Sequence, residues 1–512
     1  MNDPSPAIKT SVVIVGAGPT GLSLAAQLLR YNIDFILLEK NEKTTPLSKA
    51  LVVQARTLEI FDELGIAQKA IAEGKLTAAM NFFYKGKQRG AINIAGLGKG
   101  ISPFPFALSL EQSKTEKLLL EHVMEKGKAV QWNCVFNDVE EKEDGVIVTY
   151  QDENRQLKSI QAGYLVGCDG AASAVRHKLG LAFEGDTVPK LFYVADVILK
   201  SSVINRDELY MFMIKKGFVL FFPMEGEGHY RIVGILPDAD AEQQFSFETI
   251  AIELKEQLKV PIEFQPVTWF STYRVHSRKA TAFSKGRCFI AGDAAHIHTP
   301  AGGQGMNTGI QDSYNLAWKM AFVLNEKIGS KMLETYSEER GENARHLLRS
   351  TDRMFELLAG TNGILNFIRL NILPNLLGLA ARNRFLNKRI FPLISQTGIT
   401  YHENSLVVKS AAGKVKAGVR MPYLLLPGGE PVFQHISAPA FKILSFGKIN
   451  TAIVTRLQEQ FPGIQSLDLD EIPADIFGTL SRFFIILRPD NHIAYIGNDP
   501  GAVSNFFQRI MI

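Results

Sequence analysis

The opening of the chain alternates between apolar runs and short polar breaks. Ser11–Val15 is a largely β-branched run, residues 16–21 break it with glycines, Leu22–Arg30 carries helically spaced apolar residues, and Phe35–Leu38 is a second apolar run. Short uncharged runs bounded by turn residues predict buried strands, and the longer periodic segment between them predicts a helix. Strand, helix, strand in that order predicts a βαβ unit with a right-handed crossover. Further on, Ser113–Lys126 reads as a helix with Ser113 as N-cap and Glu116 as its capping-box partner. Cys134–Asp138 and Val146–Tyr150 read as strands around the Glu143-Asp144-Gly145 turn.

The pattern changes at residue 184. Phe192–Ile198, Glu208–Ile214, Phe218–Pro223 and Tyr230–Leu236 are strand-like, with turns at Lys215-Lys216-Gly217 and Glu225-Gly226-Glu227-Gly228. This predicts an antiparallel sheet over 184–276, inserted between two halves of a nucleotide-binding domain, 8–183 and 277–350. Residues 351–399 read as helical. In 400–512 the order is strand Phe441–Phe446, helix Ile449–Gln460, strand Ile464–Leu469, a hairpin of Phe483–Leu487 with His492–Ile496, and helix Val503–Met511. That order suggests a thioredoxin-like domain, although no cysteine lies beyond Cys288 and thiol chemistry is excluded there. The expected fold class is α/β: a Rossmann-type nucleotide-binding domain, an inserted antiparallel β-sheet domain, a helical segment and a thioredoxin-like C-terminal domain.

Composition changes this picture little. The chain has 512 residues, 46% hydrophobic and 21% charged, with a formal net charge of +4. Such values describe an ordinary globular protein of several domains, with no basic field to suggest nucleic acid. The polar start and the three scattered cysteines, Cys134, Cys168 and Cys288, point to the cytoplasm and to neither disulfides nor a metal site. Ile364–Ile394 is the most membrane-like stretch, but Arg369, Pro374, Asn375, Arg382, Arg384, Lys388 and Arg389 interrupt it. Helices packed on the body are expected there instead of a membrane span. A homodimer is allowed.

Three glycine-centred motifs carry the candidate chemistry. In Gly16-Ala17-Gly18-Pro19-Thr20-Gly21 the glycines serve a tight turn, close approach of backbone to a pyrophosphate, and close helix–strand packing. Glu39 follows at the end of the next strand, where its carboxylate can accept from a ribose hydroxyl. The second motif, Gly167-Cys168-Asp169-Gly170-Ala171-Ala172-Ser173-Ala174-Val175-Arg176, joins an apolar strand to a helix. The third runs from Gly292-Asp293 through Pro300 and the glycine-rich loop to Gly305, Met306 and Asn307, which open another helix. An aspartate after a strand can bind a ribityl hydroxyl, and glycines expose N–H groups to an anion. His296 and His298 have poor spacing for a metal, and structural or substrate-side roles are expected for both.

The three motifs, in this order and at these separations, resemble the class A flavoprotein aromatic monooxygenases, the family of para-hydroxybenzoate and phenol hydroxylases. Lys49-Ala50, Ala55-Arg56-Thr57-Leu58-Glu59 and Gln112 extend the resemblance over most of 8–350, and Gly418–Pro422 with Arg488-Pro489-Asp490 extend it into the C-terminal region. The resemblance implies FAD held by Gly16, Gly18, Thr20, Gly21, Glu39, Lys40, Arg56, Gln112, Asp169, Gly170, Asp293, Gly305, Met306 and Asn307. NADPH or NADH would visit transiently, since no second GxGxxG is present. It implies an enzyme that places one oxygen atom from O2 on an aromatic substrate through a flavin C4a-hydroperoxide. The alternatives are a hydroxylase of antibiotics or other natural products, and a non-catalytic flavin-binding scaffold. Phe218, Leu220 and Phe222, alternating on one strand, are candidates for the substrate cavity, with Pro300 beside them. Phenol hydroxylase carries an active-site aspartate where Leu51 stands, so its phenol-activating arrangement is not implied. No residue is identified as a catalytic acid or base.

Overall fold

The computed structural model describes the chain apart from residues 1–7, 46–49, 206, 215–216, 237–244, 268, 300–301, 360–362, 364–366, 374–375, 377–383, 402–403, 427, 448–450, 462, 470 and 511–512. Lys49, Lys215, Lys216, Pro300 and much of Ile364–Ile394 therefore lie outside the described residues.

Ile8–Val15 forms the middle of a mainly parallel sheet. Phe35–Leu38 pairs with it on one side and Leu157–Gly167 on the other, both parallel. Val130–Gln131 extends the first side and Cys288–Ile290 the second, again in parallel. Val12, Val13 and Ile14 are fully buried, as a strand covered on both faces requires. The Pro19–Arg30 helix packs on both the Gly305–Leu324 and Gln112–Glu125 helices. Its Pro19 sits in the first turn, where a missing N–H costs nothing, behind Gly18 as N-cap.

The second sheet has nine strands. Its order is His296–Ile297, Trp269–Ala280, Phe183–Lys200, His229–Leu236, Gly217–Pro223, Glu208–Ile214, Ala79–Tyr84 and Lys87–Asn93, with Glu263–Phe264 paired to Phe183–Lys200. Two corrections follow. The sheet is not confined to 184–276, because Ala79–Tyr84 and Lys87–Asn93 join it. Nor is it wholly antiparallel, because Glu208–Ile214 pairs with Ala79–Tyr84 in parallel. Lys87–Asn93 is a polar, mostly exposed edge strand, a pattern that protects an edge and hides it from hydrophobic periodicity. The Phe247–Leu258 helix closes one face: Ser246 accepts from the Thr249 N–H as N-cap, and Phe247, Ile250 and Leu254 pack on Phe212, Val219 and Phe221.

Two further expectations are corrected. The Gln112–Glu125 helix begins one residue before Ser113, with Glu111 at the N-cap position, so the capping box does not form. Glu116 instead accepts from Gln112 Nε2. The Glu334–Ala359 helix runs straight through the boundary placed at 350/351, since neither proline nor glycine interrupts it there.

The C-terminal sheet has the order Gln465–Leu469, Lys442–Phe446, Phe483–Leu487, Ile493–Gly497. The first pair is parallel and the other two are antiparallel. Trp318 and Phe322, from the end of the Gly305–Leu324 helix, enter its core beside Phe441, Phe506 and Phe507. Among the described residues no helix is long and apolar enough to cross a membrane.

Candidate functional site

The three glycines of the first turn are required for three different reasons. Gly16 has φ +103°, and a Cβ there would lie 2.5 Å from the Cys168 carbonyl oxygen. A Cβ on Gly21 would lie 1.9 Å from the Gly16 carbonyl oxygen, so helix and strand are in direct backbone contact. A Cβ on Gly18 meets nothing within 4 Å. The fold therefore needs glycine at 16 and 21, whereas at 18 it leaves open space at a helix N-terminus. Glu39 lies beside that space, its carboxylate accepting from the Ala17 N–H at 2.7 Å and the Asn41 N–H at 3.0 Å. Lys40, next in sequence, is exposed. Thr20 has a packing role: a Cβ on Gly292 or Gly309 would fall 2.4 or 2.3 Å from its hydroxyl, so Thr20 locks the first and third motifs together.

In the second motif the Asp169 carboxylate is engaged locally. It accepts from the Ser173 hydroxyl and, at 3.1 Å, from the Val175 N–H, which orders the start of the Ala174–Leu179 helix. That carboxylate therefore has a turn-ordering role whatever else it meets. Gly170 is different: it has φ +80°, and a Cβ there meets open space. Arg176, the last residue of the motif, is buried and donates to Ala171 O at 2.8 Å and Ala294 O at 3.0 Å. Its guanidinium thus ties the second motif to the third. Burial and nearby Arg278 both push its pKa down, against the pull of Asp169. Neither Arg176 Nε nor Arg278 Nε has a partner among the described residues.

In the third motif Asp293 is exposed while Gly292 and Ala294 on either side are buried. Behind the turn stands Asp312, fully buried. It accepts from the Gly292 N–H at 3.0 Å and Arg340 Nε at 2.6 Å, and lies 2.9 Å from His296 Nε2. His296 is therefore structural. His298 Nδ1 lies 2.7 Å from Thr299 O, and its Nε2, like His296 Nδ1, is buried with no partner among the described residues, 3.7 Å from where a side chain on Gly305 would begin. A ring donating from Nδ1 keeps Nε2 as an acceptor, and burial pushes its pKa down to about 4.

Gly302 and Gly303 have φ of +84° and +61° and lead into the helix at Gly305. The N–H groups of Gly305, Met306 and Asn307 stand in its first turn, where no carbonyl of the helix itself can pair with them. Asn307 holds this loop. Its side chain accepts from the Gln54 N–H and the Thr57 hydroxyl and donates to Val52 O and Gly303 O, all between 2.8 and 2.9 Å. The Met306 side chain belongs to the core. Gln112 borders the same groove, its N–H donating to Ala50 O at 3.0 Å. Arg56 does not line it. Its buried guanidinium donates to Glu59 at 2.9 Å and to Asp490 O at 2.8 Å, tying the Ala55–Glu63 helix to the C-terminal domain.

The strand Gly217–Pro223 alternates as expected, with Val219 and Phe221 under the Phe247–Leu258 helix and Phe218, Leu220 and Phe222 on the other face. These three are not equivalent. Phe218 is closed into a cluster with Phe355 and Leu370, so its role is core packing. Leu220 is partly buried and packs against the same cluster, and Phe222 is partly buried outside it. Phe222 pairs in register with Arg231, which Asp196 holds through two bonds of 2.7 Å and which reaches Ala50 O at 3.5 Å. Ala50 lies two residues from Val52, against which Gly303 packs. The Phe222 end of this face is thus turned toward the glycine loop.

These features fit FAD. Open space at Gly18 and Gly170, the acid Glu39, the exposed Asp293 and the first turn at Gly305 match a ligand with a pyrophosphate, two polyol segments and an electron-accepting ring. Among the described residues no cluster of His, Cys, Asp and Glu could hold a metal.

A family profile described as an FAD binding domain matches residues 9–351. The chain is 30% identical, over 96% of its length and 92% of the relative's, to 6-methylpretetramide 4-monooxygenase from Streptomyces rimosus. It is 27% identical, over 98% of its length and 96% of the relative's, to pentachlorophenol 4-monooxygenase from Sphingobium chlorophenolicum. The solved anhydrotetracycline hydroxylase from Streptomyces rimosus superposes with a TM-score of 0.78 at 26% identity, covering 98% of this chain and 99% of that one.

Proposed function

The chain belongs to the class A flavoprotein aromatic monooxygenases, and from that membership we propose that it hydroxylates a phenolic or polycyclic aromatic substrate, with NADPH or NADH as electron donor and O2 as oxygen source. Bound in the cleft, FAD supplies the redox and oxygen-activating chemistry. The protein's own part is to bind, orient and exclude water.

One observation carries the reading: a partly buried aromatic ring, Phe222, at the end of a sheet face turned toward a glycine loop that opens a helix, beside the Arg231–Asp196 pair. Such a face suits a flat ring better than a polar substrate. Asp293 is assigned to the ribityl chain, Glu39 to the ribose, and the Gly305–Asn307 N–H groups to negative charge on the reduced ring. Gly18 leaves room for the pyrophosphate. His298 is assigned the substrate side, as a neutral acceptor for a ring hydroxyl. Arg176 and Arg278 supply positive charge beside Gly170, which suits the phosphates of a visiting nicotinamide cofactor. The relatives' named substrates, a pretetramide, an anhydrotetracycline and a chlorinated phenol, span polycyclic natural products and single rings. They support an aromatic ring in either size class.

The test is a panel of phenols, aryl acids and polycyclic aromatics, scored for stimulated NADPH or NADH oxidation and for a product heavier by one oxygen atom. Oxidation that no ring stimulates, with no hydroxylated product, would remove the reading.

A further inference from the structure

We propose that the C-terminal domain acts on the flavin turn as a positioning element: the Tyr401 hydroxyl, through Arg340 and Asp312, fixes the Gly292 N–H and hence the direction in which Asp293 leaves the turn. The inference rests on the assignment of Asp293 to FAD.

The chain of contacts is continuous and buried. Arg340, fully buried on the Glu334–Ala359 helix, donates from Nη1 to the Tyr401 hydroxyl at 3.0 Å, from Nε to Asp312 at 2.6 Å and from Nη2 to Thr308 O at 3.2 Å. Asp312 accepts from the Gly292 N–H through its other oxygen. Arg340 therefore bears on both structures assigned to the flavin: directly on the first turn of the Gly305–Leu324 helix, and through Asp312 on the Gly292–Asp293 turn.

Tyr401 belongs to the C-terminal part of the molecule. Its N–H donates to Gly418 O at 2.9 Å, and its ring lies 4.5 Å from that of His492. Arg488 stacks over the same ring at 5.0 Å while pairing with Glu339, the residue before Arg340. Adjacent residues of one helix thus grip the C-terminal domain differently. Glu339 takes Arg488, Lys319 and Asn404, an anchor that does not reach the turn. Arg340 takes Tyr401 and passes the contact on to Asp312. A guanidinium with a fixed fork is suited to that relay, because moving one of its partners tilts the plane that holds the others.

The experiment compares Tyr401→Phe, which keeps the ring and removes the hydroxyl, with Asn404→Ala, which removes the 2.6 Å bond to Glu339 at the same interface. Apoproteins are titrated with FAD, the bound flavin is read by visible circular dichroism, and thermal melting is recorded without FAD. Tyr401→Phe should raise the FAD dissociation constant roughly three- to tenfold, the range for one lost hydrogen bond, and change the flavin dichroism. Asn404→Ala should lower the melting temperature and leave FAD affinity and dichroism at parental values. Unchanged FAD affinity in Tyr401→Phe, or equal losses in both variants, would overturn the proposal. Asp293→Ala separates this failure from that of the underlying assignment. If Asp293→Ala weakens FAD while Tyr401→Phe does not, only the relay is wrong. If Asp293→Ala binds FAD as the parent does, the assignment itself falls.

Discussion

At the scale of single residues, the glycines of the first motif divide into Gly16 and Gly21, which the fold needs, and Gly18, beside which it leaves open space. Gly21→Ala forces a Cβ against the Gly16 carbonyl and should destabilise the apoprotein by about 1–3 kcal/mol, seen as a lower melting temperature. Gly18→Ala meets no protein atom and has an ordinary backbone conformation, with φ −74°. It should leave that melting temperature unchanged and weaken FAD binding. Loss of stability in Gly18→Ala with full FAD affinity would reverse the two assignments. His298 gives a prediction with a defined sign. Its folded pKa, about 4, lies below its ordinary value of 6.5, so the unfolded chain takes up more protons between those two pH values. The contribution is present above pH 6.5 and is lost as pH falls toward 4. His492, also pushed down by burial, acts in the same direction. His298→Gln should flatten the acid side of the melting curve; an unchanged slope would place His298 elsewhere. The glycines were legible in the sequence because spacing alone requires them. The engagement of Asp169 by Ser173 and Val175, and of Arg56 by Glu59 and Asp490, was not, because it depends on which way a side chain turns once its neighbours are in place.

At the scale of elements, strand and helix order follows hydrophobic periodicity wherever an element is buried. Ile8–Val15, Phe35–Leu38 and the C-terminal hairpin stand within a few residues of their expected places. The misses have a common cause. Lys87–Asn93 is a polar edge strand, Ala79–Tyr84 joins a sheet more than a hundred residues later in the chain, and Glu334–Ala359 has no punctuation at 350. Long-range pairing leaves no local signature. The helix opening at Gly305 should stabilise charge on the reduced flavin. A valine there begins 3.7 Å from His298, an ordinary contact, so Gly305→Val should fold, yet lower FAD affinity or shift its reduction potential downward. An unaltered potential with unaltered binding would show that the loop only connects strand to helix. The two ends of Gly217–Pro223 should also separate. Phe218→Ala empties a packed cluster and should cost about 3–5 kcal/mol. Phe222→Ala should cost clearly less and change substrate affinity or the site of hydroxylation. If Phe222→Ala alters stability alone, that face is core throughout.

At the scale of the whole molecule, the proposed FAD and substrate site draws on groups distant in sequence: Gly18 and Glu39, Gly170 with Arg176, Asp293, the Gly305 helix, and the Phe222 end of the second sheet. Thr20, Arg176 and Asn307 hold the motifs to one another, and Arg340 with Glu339 holds them to the C-terminal domain. The motif order made the family and its FAD cofactor readable from sequence; the residues that join the motifs became visible only with the fold. The most direct test of the account is isotopic. The FAD-loaded protein is supplied with NADPH, 18O2 and a panel of phenolic and polycyclic aromatics, and product masses are measured. The account predicts a ring product carrying one 18O atom, with the second atom recovered in water. Label found only in hydrogen peroxide for every ring tried, or product oxygen drawn from solvent, would contradict it.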